Sequence, residues 1–185
     1  MIDEVYTDAE IRMQETVEHY KRQFSTVRTG RASSGLVENM RIDYYGTSTP
    51  LKQMAKIAIP EPSLIVIQPW DSSALPAIER AIQTSDLGMM PNNDGKIIRL
   101  NVPVLTEERR IQLAKLVKKM TEEGRVAIRN IRRDANETIK EFLKEKDISE
   151  DDAHAGYDRI QNLTNDFIVK IDQLGERKEK ELMEL

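Results

Sequence analysis

Apolar residues recur at steps of three and four through the first 27 residues: Ile2, Val5, Ala9, Met13, Val17, Tyr20, Phe24 and Val27. That spacing predicts one amphipathic helix. It should stop at "RTGRASSG" (Arg28 to Gly35), where Gly30 and Gly35 flank a small polar run. The same period returns after Thr106, with Leu113, Val117, Met120, Gly124, Ala127, Ile131, Ala135, Ile139 and Phe142. No proline interrupts that stretch, so it predicts a helix of about 40 residues, or ~60 Å. Thr106 is placed to cap it, and Glu107 and Glu108 suit the positive end of its dipole. A stop is expected near "KEKDIS" (Lys144 to Ser149), after which Ser149 and Asp152 resemble a capping box with Asp in place of Glu. A third stripe then runs Ala153, Tyr157, Ile160, Leu163, Phe167, Ile171, Leu174 and Leu182.

Between the first and second stripes the texture changes. All seven prolines fall between Pro50 and Pro103. "MRIDYYG", "QMAKIAI", "SLIVIQPW" and "KIIRLNVPV" are short and rich in Ile, Val and Tyr, and predict strands. A helix over about 73–84 carries Leu75, Ile78 and Ile82 on one face. "PNNDG" (Pro91 to Gly95) has the chemistry of a turn before the last strand. Trp70 is read as packing, in the core or on the domain surface.

Three stripes of near-heptad spacing need one another to hide their apolar faces, which points to a three-helix bundle. The fold class is therefore α+β: an elongated bundle of residues 1–30 and 105–185, with a small, mostly β domain (31–104) inserted. The chain crosses between them twice, at about 28–35 and 102–105. Two short connections permit pivoting without letting the domains drift apart.

Composition agrees. The 185-residue chain is 32% charged and only 5% aromatic, which suits long amphipathic helices. It has no cysteine, so disulfides, thiol catalysis and thiolate metal sites are excluded. No apolar run approaches the ~20 residues needed to cross a bilayer. The start of the chain is acidic, unlike a signal or transit peptide, so a cytoplasmic protein is expected.

Charge changes the picture more. The chain carries a formal net charge of −4, yet residues 105–146 hold 12 basic and 8 acidic side chains, whereas 147–185 hold 5 and 11. One helix is basic inside an acidic protein. Its arginines concentrate in Arg125, Arg129, Arg132 and Arg133, with no lysine between 125 and 133. With Arg125 set at 0° on a helical wheel, Arg129 falls at about 40°, Arg132 at about −20° and Arg133 at about 80°; the apolar stripe centres near 250°. The basic face should thus point away from the core, with Arg133 at its margin and no arginine serving as an internal ion-pair partner. A solvated face usually mixes lysine with glutamate; planar guanidinium forks suit phosphates and base edges, so the enrichment points to nucleic-acid contact.

Catalytic chemistry is absent from the pattern. "TGRASSG" lacks the Gly-Lys-Ser/Thr ending of a phosphate loop. Asp71, Ser72 and Ser73 have no histidine nearby in sequence to activate a serine and read as a strand-to-helix turn with a capping residue. His19 and His154 have no metal-ligand spacing. No enzyme activity, cofactor or metal site is expected.

Several segments in order carry a resemblance along essentially the whole chain: "RTGRAS", "YYGTSTPL", "PEP", "IQPWD", "SDLG", "PNNDG", "LTEERR", "VAIRNIRRDAN", "ISEDD" and "IQNLT". In these the chain resembles the bacterial ribosome recycling factor family. Ser34, Ser63 and Met90 stand where that family often has proline, arginine and asparagine. The resemblance implies an L-shaped, transfer-RNA-like outline and binding to the 70S ribosome after termination. Its bundle would contact large-subunit ribosomal RNA, while elongation factor G with GTP drives the subunits apart and mRNA and tRNA leave. It also implies RNA contact by Arg110, Arg129 and Arg132, which Arg125 and Arg133 join by position. A hinge is implied at Arg28, Thr29, Gly30, Arg31, Val102, Pro103, Val104 and Leu105. A bundle that buries its own stripes needs no second copy, so a monomer is expected. The competing reading is a helical-bundle adaptor or chaperone-like module. It accounts for the bundle but not for one-sided arginines.

Overall fold

The computed structural model describes residues 1–184. The chain divides into two compact units, Met1–Phe24 with everything from Gln112 onward, and Ser25–Ile111. Residues 25–30 and 105–111 therefore go with the second unit.

The first unit is built from α1 (Ile2–Ser25), most of α3 (Glu107–Lys144) and α4 (Glu150–Met183). Val5, Ala9, Met13 and Val17 of α1 meet Ile128, Ile131, Ala135 and Ile139 of α3 and Ala153, Ile160, Leu163, Phe167 and Ile171 of α4 in one core. Facing pairs show the course of the chain. Gly124 lies against Ile171, Gly175 against Thr121, and Gly156 against both Ile139 and Ile2. Thus α3 runs antiparallel to α4, and α1 runs alongside α4.

The α1 stripe is the one its spacing predicts. In α3 the seam differs: the buried residues are Leu113, Val117, Thr121, Gly124, Ile128, Ile131, Ala135 and Ile139. Thr121 and Ile128 take the places expected for Met120 and Ala127, which are half-buried. The reason is local. The Thr121 hydroxyl donates to the Val117 carbonyl at 2.8 Å, so its polarity is satisfied within the helix, and Gly175 leaves room for it. This turns the buried stripe by about 30° from the one spacing suggested. In α4 the seam includes Gly156, Thr164 and Gly175, while Tyr157 and Leu174 pack at its edge.

The second unit holds β1 (Arg41–Tyr44), β2 (Thr47–Pro50), β3 (Ala55–Glu61), β4 (Leu64–Pro69), α2 (Leu75–Thr84), β5 (Pro91–Asn93) and β6 (Ile98–Asn101). Strands β3, β4, β6 and β5 form an antiparallel sheet in that order, and β1 and β2 form a separate hairpin. Alternation puts Ile65, Ile67, Ile98 and Leu100 on one face, where Leu75, Ile78 and Ile82 of α2 join them. The hairpin turns on Tyr45 (φ 50°) and Gly46 (φ 78°), a two-residue turn with both φ positive that matches strand twist.

Two strands depart from the sequence expectation. The segment "TSTP" has little apolar character, yet it pairs as β2. "PNNDG" is a strand and a turn: Pro91–Asn93 pairs with β6 at the sheet edge, and the turn itself is Asp94–Gly95. An edge strand has only one side to pair, so Pro91 is tolerated there. Trp70 is not a core residue; it is 70% exposed. Asp71 accepts from the Ser73 backbone N–H at 3.0 Å, as a capping residue should, and also from the Tyr44 hydroxyl at 2.6 Å.

Candidate nucleic-acid interface

The arginine helix is well founded at both ends. Thr106 Oγ1 accepts from the Arg109 backbone N–H at 3.2 Å, so the predicted cap is in place. The other end closes with Lys146 at φ 64°, its N–H donating to Leu143 and that of Asp147 to Phe142. That pair of bonds satisfies the last carbonyls and stops the helix. Ser149 and Asp152 then cap α4 reciprocally at 3.1 and 3.2 Å.

Between those ends the arginines divide by their angle to the true seam, which centres near 280° with Arg125 at 0°. Arg133 lies about 160° from it, is exposed, and has no hydrogen bond or ion pair among the described residues. Arg129 lies about 120° from it, with its Nη1 donating to Glu122 Oε1 at 3.3 Å. Arg132 and Arg125 lie on one side of the seam, at about 60° and 80° from it, and so reach across to α4. Arg132 Nη1 donates to Gln161 Oε1 at 3.2 Å, and Gln161 Nε2 in turn to Asn165 Oδ1 at 2.8 Å.

Arg125 corrects the expectation that no arginine pairs inside the bundle. Its Nε donates to Asp172 Oδ1 on α4 at 2.6 Å, and its Nη1 to Glu122 Oε2 at 3.1 Å. The Asp172 bond, then the Glu122 bond, push the Arg125 guanidinium above its usual range. Glu122 is held below the usual carboxylate range, first by its bond from Arg125 and then by that from Arg129. The 30° turn of the seam is the cause: it brings Arg125 from the solvent side to the α3–α4 boundary.

Glu122 thus ties Arg125 and Arg129 together, Arg132 sits beside α4 on a neutral amide, and Arg133 stands apart. Glu122 could have been noticed from sequence, because it lies one turn before Arg125 and two before Arg129. Asp172, Gln161 and Asn165 come from a different helix and left no local signal. Arg110 is placed elsewhere, in the second unit. It sits half-buried in the first turn of α3, with its Nε buried and without a hydrogen-bond partner.

The sequence-predicted hinge residues also lie in the second unit. Arg28 Nη1 donates to the Leu87 carbonyl at 2.7 Å, and Thr29 is half-buried. Gly30 adopts φ 79°, a conformation that costs glycine little, and faces Leu105. Arg31, Pro103 and Val104 are exposed, and Leu105 is buried. Val102 is buried in the β-sheet core, with its N–H on the Ser63 carbonyl at 2.8 Å. Among the described residues no helix is long and apolar enough to cross a membrane, and no cluster of His, Asp or Glu could hold a metal ion.

Comparison with known proteins adds a family to this geometry. Residues 20–183 match the family model described as ribosome recycling factor. The ribosome-recycling factor of Desulfatibacillum aliphaticivorans is 51% identical over 184 residues, and that of Halothermothrix orenii 51% over 185, each covering all of both chains. Two solved structures share the fold. One is a solution structure of ribosome recycling factor, with TM-score 0.81, 44% identity, and coverage of 100% of this chain and 98% of that one. The other is the T. thermophilus ribosome recycling factor, described with E. coli elongation factor G bound to the E. coli post-termination complex. It has TM-score 0.71 and 43% identity, and both chains are fully covered.

Proposed function

Since the chain belongs to the ribosome recycling factor family, we propose that it binds the post-termination 70S ribosome and splits it into subunits together with elongation factor G and GTP. It does so in the cytoplasm, as a monomer and without catalytic chemistry of its own. GTP is hydrolysed by the partner. The helical body, residues 1–30 with 105–185, anchors on large-subunit ribosomal RNA through the solvent side of α3. Residues 31–104 act as the arm that receives the push, turning about 28–35 and 102–105.

One observation carries the anchoring step. Arg133 is exposed and uncommitted among the described residues, and Arg132 rests only on the neutral amide of Gln161. Neither faces a carboxylate partner among the described residues, and both lie on the net-basic stretch 105–146. A phosphate can replace an amide oxygen at Arg132 without any competing carboxylate being displaced. Arg129 completes the surface, whereas Arg125, committed to Asp172, holds α3 to α4 beneath it; Arg110, in the second unit, would make a separate RNA contact.

Arg132→Ala tests this by co-sedimentation with ribosomes over a salt series. Affinity should fall roughly tenfold, the loss of one charge-assisted contact. The salt slope should flatten by about one, and the thermal midpoint should hardly move. Undiminished binding by the variant would remove the arginine face from the mechanism. Binding that ignores salt would favour an apolar protein interface instead.

A further inference from the structure

We infer that Glu122 masks Arg129 and thereby sets how tightly, and how selectively, the arginine face holds RNA. This rests on the reading that the face contacts ribosomal RNA. Glu122 is an exposed carboxylate on the same helix as the arginines, and its two oxygens are divided between two guanidinium groups. The two arginines depend on it unequally. Arg125 has a second and closer partner in Asp172 at 2.6 Å, against 3.1 Å to Glu122. Arg129 has Glu122 as its one ion-pair partner among the described residues, at 3.3 Å. Removing the Glu122 charge therefore releases one cation, Arg129, while Arg125 stays tied to α4.

A phosphate that takes the Nη1 donor of Arg129 must displace that carboxylate oxygen, which then lies beside the RNA with Arg125 as its remaining partner. Arg132 carries no such penalty, because its partner is neutral. The face thus holds two arginines, Arg132 and Arg133, that are always available and one, Arg129, that engages only where phosphates are dense enough to outcompete a tethered anion. Such a device lowers affinity for scattered polyanions more than for a folded RNA surface, and it eases departure after each round. Glu122 is a positioning residue in this scheme, acting through Arg129.

The test compares Glu122→Gln, Arg129→Ala, Arg132→Ala and the Glu122→Gln/Arg129→Ala pair in co-sedimentation with vacant 70S ribosomes across a salt series, with thermal midpoints measured alongside. Glutamine keeps the shape and one acceptor oxygen but no charge. Glu122→Gln should bind about threefold tighter at low salt, the scale of a lost exposed ion pair. Its log–log salt slope should steepen by about one, for one more phosphate contact made without a competitor. Both gains should vanish in the double variant, and the midpoint should stay within a degree or so. Unchanged or weaker binding by Glu122→Gln, with Arg132→Ala still defective, would overturn the masking role and leave the RNA face standing. Arg132→Ala binding in full would remove the face and the masking role with it. A gain that persists without Arg129 would also overturn the inference, because the released charge would then not be that of Arg129.

Discussion

Where α3 and α4 come closest, a single methyl group offers a sharp test of the packing. A Cβ added to Gly175 would run into Thr121 Oγ1, with Thr121 Cγ2 at 3.1 Å and Cβ at 3.3 Å. Thr121 is β-branched, so rotating it merely exchanges one branch for the other, and it also surrenders the bond from its hydroxyl to Val117. Gly175→Ala gains about 1 kcal/mol of intrinsic helix preference. Against that stand about 1–3 kcal/mol of overpacking and about 1 kcal/mol for a lost hydrogen bond. The net expectation is a loss of about 1–3 kcal/mol. Thr121→Ala alone should lose about 1 kcal/mol for one buried methyl and one hydrogen bond, less a small helix gain. With both changes the obstruction disappears, so the double variant should be more stable than Gly175→Ala despite carrying an additional core truncation. The coupling should be about 2–4 kcal/mol and favourable. Urea unfolding followed by far-UV circular dichroism reads this directly, since the bundle supplies most of the helix. A stabilised Gly175→Ala, or strictly additive changes, would refute the close approach.

Two further outcomes follow from other parts of the molecule. Ile128 is fully buried and Met120 only half so; Ile128→Ala should cost about 2–5 kcal/mol and Met120→Ala less than half of that. The reverse order in urea midpoints would return the α3 seam to where simple spacing placed it. In the second unit, Asp94 accepts backbone N–H bonds from Ile97 and Lys96 and a side-chain bond from Arg99, which hold its carboxyl at about 2, below the usual 3.8. Its contribution is therefore present above about pH 4 and is lost as pH falls through about 2. Asp94→Asn should flatten the acid limb in that window, seen as a loss of pH dependence in the Lys96 and Ile97 amide resonances; an unaltered limb would place the acid sensitivity elsewhere.

The parts legible in the sequence were those in which polarity and burial coincide. Every buried position of α1, from Val5 to Phe24, is apolar, so its face could be read directly. In α3 and α4 the correspondence breaks at Thr121, Thr164, Gly156 and Gly175, where small or self-satisfied side chains serve close helix approach. Reading polarity alone passed over them and turned the α3 stripe by about 30°. That modest error decided which arginines face solvent, because Arg125 and Arg132 lie near the boundary. Their partners, 47 and 29 residues away along the chain, belong to a different helix and had no local signature. The strands β2 and β5 were missed for a related reason. Edge strands are held by backbone pairing rather than by an apolar side, and hydrophobic spacing does not record it.

The unbroken course of α3 limits how its sequence can vary. From Leu113 to Ile139 it has one buried stripe and no loop in which to absorb a change of length. One residue inserted between Gly124 and Arg129 would swing everything beyond it by about 100°, carrying Arg132 and Arg133 to new bearings while Ile131 and Ala135 left the seam. Insertions of three or four residues come closer to whole turns, yet they would slide Ile139 away from Gly156. Changes of length should therefore be confined to the tip between α3 and α4 and to the loops of the second unit. Within the helix, only substitution is open.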